Sequence, residues 1–131
     1  MILDDLGDYL STGGITGTIY KGFMPNDPDD CVAIYETGGQ APVHAMNGSA
    51  GQAVLERPRV QIVCRSGEYD YSTARTKAQS VFVLMDGMPT RTLNGVAYKW
   101  AAAVHSPFLM GRDEHKRPLI ACNFDVSKAV G

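Results

Sequence analysis

Apolar residues recur three to four positions apart at Ile2, Leu3, Leu6 and Leu10, with Asp4, Asp5 and Asp8 between them. This spacing predicts a short amphipathic helix over residues 1–11. The early aspartates suit the positive end of its dipole, and Gly13-Gly14 ends it. A helix this short needs a partner surface to be stable. From Thr16 to Phe23 the residues turn strand-like, with Thr18, Ile19, Tyr20 and Phe23. The run from Met24 to Asp30 holds two prolines and three aspartates and reads as a turn. Residues 31–36 are apolar on both sides, which predicts an interior strand. Residues 37–56 are rich in Gly, Ala, Ser and Gln and follow neither period, so a long loop is expected around residues 38–56.

In residues 57–65, Val60, Ile62 and Cys64 alternate with Arg59, Gln61 and Arg65, which predicts a half-buried strand with a polar, arginine-bearing face. Pro58 belongs near its start. Residues 70–86 read as the main helix. Asp70 or Ser72 caps it, and Ala74, Ala78, Val81, Phe82 and Met85 form its apolar stripe. Asn94-Gly95 is the strongest hairpin signal, between residues 90–93 and 96–104. In the second of these strands Val96, Tyr98, Trp100, Ala102 and Val104 are expected on one face. A short continuation at residues 108–110 and a final strand at residues 117–126 follow, the latter with Ile120, Cys122, Phe124 and Val126 inward. Residues 127–131 are expected to fray. The order of elements lacks βαβ alternation, so the expected class is α+β: one mostly antiparallel sheet with two helices on one face.

The chain has 131 residues and a mass of 14.1 kDa, which suits one domain spanning residues 1–131. With 44% hydrophobic and 20% charged residues it has a globular composition. Twelve basic against fourteen acidic residues give a net charge of −2, which argues against a dedicated nucleic-acid binder, though not against a pore that DNA traverses. No apolar run reaches the roughly 20 residues of a membrane span, and the acidic start lacks the layout of a signal peptide. A cytosolic product is expected. Cys31, Cys64 and Cys122 are odd in number, widely spaced and set in apolar runs, as small buried hydrophobes in a reducing compartment are.

Catalytic signatures are sparse. His44, His105 and His115 share no ligand spacing, and the adjacent acids Asp29-Asp30 and Asp113-Glu114 lie in turns. No phosphate loop or nucleophile elbow occurs. The charges are uneven, however. Arg57, Arg59, Arg65, Arg75 and Lys77 cluster in sequence, whereas the first thirty residues carry six aspartates and one lysine. These are either two solvated faces or the halves of a head-to-tail contact between copies, which closes into a ring when the rotation permits.

Several strings taken together resemble a known family. They are the helix beginning Ile2-Leu3-Asp4-Asp5-Leu6, the strand end Gly22-Phe23-Met24-Pro25, the segment from Cys31 to Gly39, the strand from Glu56 to Arg65 followed by Tyr71-Ser72-Thr73-Ala74-Arg75, and the late strand from Arg117 to Phe124. The pattern is similar to the small minor capsid proteins of tailed phages and to the tail terminators of long-tailed phages. The proline-containing strand before the helix is its most specific part.

The resemblance implies a homo-hexameric ring that caps the head-proximal end of the tail tube and docks to the neck or connector protein. DNA would pass through the lumen without sequence-specific binding. It further implies a virion protein assembled in the host cytoplasm, with no cofactor, no metal, no membrane and no enzymatic activity. On this reading Arg57, Arg59, Arg65 and Arg75 are expected at contacts between subunits or with a neighbouring ring. His44, Met46 and Asn47 are expected in a mobile loop that reaches an adjacent ring. A head-closure component of the same neck is the nearest alternative. A small enzyme or ligand-binding domain using Cys64 or His105 is the distant one.

Overall fold

Three rows of side chains crossing the middle strands set the core. Val32 pairs with Cys64 and Cys64 with Ile120; Ile34 pairs with Ile62 and Ile62 with Cys122; Val60 pairs with Phe124. All are nearly inaccessible to solvent. In a pleated sheet, alternate residues share a face, so these rows make one continuous apolar layer.

The computed structural model describes residues 1–44 and 53–130. The elements in chain order are α1 (Ile2–Thr12), β1 (Ile19–Lys21), β2 (Cys31–His44), β3 (Ala53–Arg65), α2 (Tyr71–Met85), β4 (Arg91–Leu93), β5 (Val96–Ala103), β6 (Phe108–Arg112) and β7 (Pro118–Ala129). The class is α+β, as expected. The strand order is β1-β2-β3-β7-β5-β4, with β6 also paired to β7. Every pairing is antiparallel except β1 with β2.

Both helices pack on the apolar layer. Leu6 and Leu10 of α1 and Ala74, Ala78, Val81 and Met85 of α2 belong to the same buried cluster as the three rows. The small residues early in α2 let its axis lie close over β7 and β3. Asp70 caps α2, its carboxylate accepting from the Thr73 N–H. α1 touches β1 and β2 at one edge of the sheet and β4 at the other, so the sheet curls around the helices. Between β4 and β5, Asn94 and Gly95 have φ of 49° and 82°, the left-handed pair that a tight hairpin requires.

β7 divides the sheet into two ends. Along one side it pairs with β3. Along the other it pairs first with β6, through residues 118–121, and then with β5, through residues 124–128.

Three expectations are corrected. The segment around residues 38–56 is not a loop over its described part: β2 continues to His44 and β3 begins at Ala53, forming a long hairpin. Its composition hid the strand because residues 36–44 are all exposed, so no apolar alternation is needed there. Register shifts after Glu36 and Gln40 break the period further. The expected frayed end is strand to Ala129, with Ser127 and Lys128 buried. Finally, Trp100 does not share the face of Tyr98. Tyr98 pairs with Lys128 and Trp100 with Ser127, so β5 carries an extra residue there. The bulge reverses the phase: Tyr98 and Ala101 are buried, while Trp100 and Val104 are exposed.

Candidate interaction surface

The cysteines and His105 are tied into the fold. All three cysteines are free and buried. Burial pushes the Cys64 thiol up to about 12 and Cys122 up to about 11, so neither forms a thiolate near neutral pH. His105 is held by its neighbours: Nε2 lies 2.9 Å from the Asn123 amide, and the ring packs edge-on against Phe108. Among the described residues no cluster of three metal-ligating side chains occurs.

Two buried arginines instead hold the turn at residues 24–30. Arg65, 3% exposed, donates to the carbonyls of Asp29 at 3.0 Å and Pro28 at 2.6 Å. Arg117, 5% exposed, donates to the Asn26 carbonyl at 2.6 Å and pairs with Asp113 at 2.8 Å and Asp29 at 3.1 Å. A turn with little apolar content of its own is thereby fixed in one conformation. Burial opposes ionisation of Asp113. Hydrogen bonds from the Arg117 backbone and guanidinium, with one from the His115 N–H, outweigh it and hold the carboxyl below its usual range. The sequence pattern gave Arg117 no role, since its partners Asn26 and Asp29 lie about ninety positions away.

The four arginines singled out in the sequence separate. Arg57, Arg59 and Arg65 lie on the side of β3 facing away from the helices, because Val60, Ile62 and Cys64 face toward them. Arg57 donates to the Ala41 carbonyl across the hairpin at 2.8 Å. Arg59 forms a two-pronged pair with Asp125 on β7, at 2.7 and 3.3 Å. That hydrogen bonding, with the nearby negative charge, raises the Arg59 pKa. Arg65 spends its donors inside its own chain. Arg75 sits on α2, in the other layer, bonded to Gln79. His44 is exposed at the end of β2, whereas Met46 and Asn47 lie outside the described residues.

Two exposed features remain. The first is the outer part of the β2–β3 hairpin. Pairing of β2 with β1 stops at Ile34, so its edge from Tyr35 to His44 has no strand beside it among the described residues. The second is a strip through the end of β5 and β6, where Trp100, Val104, Phe108, Leu109 and Met110 are each 43–46% exposed. β6 pairs with β7 alone, leaving its other edge open among the described residues. Neither feature has a sequence signature, because residues exposed on both faces of a strand carry no period.

Exposed apolar residues beside open strand edges suit association with other protein subunits. No curated protein matches the sequence. A solved structure matches with a TM-score of 0.57 and 15% identity, covering 95% of this chain and 89% of its own, which is a likeness of fold. The family model described as "Bacteriophage tail terminator protein" matches residues 3–130. That span takes in all seven strands and both helices except Ile2. The chain therefore belongs to the bacteriophage tail terminator family and is a structural protein of the phage tail.

Proposed function

We propose that the protein is a ring-forming tail terminator. As a homo-hexamer it caps the head-proximal end of the tail tube and joins it to the neck or connector protein, with DNA passing through the lumen. The observation that carries this reading is the family match over residues 3–130. The physical features support it. The work is binding rather than catalysis, and it needs no cofactor. A net charge of −2 suits a channel wall that must not grip DNA, since phosphate neutralisation drives non-specific binding. Arg57, Arg59 and Arg75 are the partly exposed guanidinia available to neighbouring copies. His44, with Met46 and Asn47 beyond it, contacts the adjacent ring.

Native mass spectrometry of the protein, alone and with assembled tail tubes, tests the reading. A hexamer alone, or a monomer that becomes a ring on tube ends, is the expected result. A stable monomer that ignores tubes overturns it. Recovery with the portal-side adaptor in place of the tube would assign the protein to head closure.

A further inference from the structure

We infer that the exposed β2–β3 hairpin of one copy docks along β6 of the next, and that this pair of surfaces is the repeating contact of the assembly. The inference rests on the ring reading and specifies its interface.

Edge strands that stay alone are usually blocked by charge. β1 ends on Lys21 and β4 begins with Arg91, so both follow that rule. The two other open edges carry a single charge at one end only, Glu36 on β2 and Arg112 on β6, and are neutral elsewhere. Residues 37–44 and 53–55 of the hairpin hold no Asp, Glu, Lys or Arg, and neither do residues 100–111, in a chain that is 20% charged. Both stretches expose apolar side chains: Val43 and Val54 on the hairpin, and Phe108, Leu109 and Met110 on β6. Two neutral, apolar strand surfaces match each other and no strongly charged partner.

The hairpin also needs a partner. A two-stranded ribbon is marginal in water by itself, and the outermost register pairs, Val43 with Leu55 and His44 with Ala53, have β7 beside them only at Leu55. Pro42 offers no N–H, so the valines at the hairpin's outer part carry much of the contact.

Placement sets the polarity of the contact. The hairpin lies on the β1–β2 side of the sheet, at the end where β7 pairs with β5. β6 lies on the opposite side, at the other end of β7. A contact between two different patches repeats head to tail, which is not the geometry of a two-fold dimer and closes into a ring where the rotation permits.

The test is a disulfide trap with Val43→Cys and Leu109→Cys in one chain, oxidised mildly alone and on tail tubes. The native cysteines are buried and stay silent. The expected result is a ladder of covalent multimers from the double variant, with each single variant giving no more than dimers. A multimer seen by native mass spectrometry that yields no ladder overturns this contact and leaves the ring standing. A protein that is monomeric alone and on tubes removes the ring reading and the contact with it. As a second variant, Leu109→Lys places a charge on the open edge at a residue already 44% exposed. It should keep wild-type thermal stability and lower assembly by at least about tenfold. Unchanged assembly would overturn the contact.

Discussion

Tyr98 on β5 donates its phenolic hydrogen to the Asp5 carboxylate on α1 across 2.6 Å, and both residues are 0–1% exposed. The other Asp5 oxygen accepts from the Asn94 amide at 2.8 Å. Through this pair the first helix, which rests on β1 and β2, is tied to the hairpin at the opposite edge of the curled sheet. Tyr98→Phe removes one donor from a buried carboxylate and should cost about 1–3 kcal/mol. Urea unfolding monitored by circular dichroism measures it. A midpoint equal to wild type would mean that the Tyr98–Asp5 hydrogen bond adds nothing net to the hold on α1.

Stability should fall on the alkaline side. Burial raises the Cys64 and Cys122 thiols above their ordinary value of 9.0, to about 12 and about 11. Above about pH 9 the unfolded chain releases these protons while the folded chain keeps them, so rising pH favours unfolding. For Cys64 alone the slope is about 1.4 kcal/mol per pH unit between those two values. Denaturation midpoints should change little from pH 8 to 9 and fall more steeply from pH 9 to 10, and Cys64→Ala should flatten the fall.

Acid should weaken the other end of the sheet. The folded state holds Asp113 below its usual range, so its ion pair with Arg117 contributes stability above the unfolded carboxylate value. That contribution is lost as pH falls through the folded one. Arg117→Met leaves the Asn26 carbonyl and the Asp113 carboxylate without their buried donor and should cost about 2–3 kcal/mol at pH 7. The gap between variant and wild type should narrow below about pH 4. A gap that stays constant with pH would show that the carbonyl contacts alone matter.

Gly39 has φ of 137°, and a Cβ there would run into the Arg57 carbonyl and the Pro58 backbone. Gly39→Ala should strain the hairpin by about 1–3 kcal/mol while leaving the helices intact. Hydrogen exchange should quicken in residues 36–44 and stay unchanged in α2. Faster exchange throughout would show that the hairpin is coupled to the core.

The parts of the fold legible from sequence were those where one face is dry and the other wet. α2, the inner half of β3 and the inward row of β7 follow their periods because Val60, Ile62, Phe124 and Ala78 each face the same apolar layer. Where both faces of a strand are exposed, as from Thr37 to His44, the period vanishes although the backbone pairing persists. Lys128 was illegible for the opposite reason. It is buried because Glu56 lies 3.4 Å from its ammonium and the Tyr98 ring lies beneath it, both distant in sequence. Of the candidate surface, the arginines on β3 could be placed on one face by alternation, but their partners Asp125, Ala41 and Asp29 could not.

The central position of β7 has a consequence for synthesis. It follows every other described element in sequence, yet it supplies the middle row of the sheet and the pairing partner of β3, β5 and β6. A growing chain therefore carries the inner edge of β3 and the apolar layer beneath both helices without cover until residues through Ala129 have left the ribosome. Closure of the sheet is deferred until β7 has emerged, so a chain lacking β7 lacks the middle row of the sheet.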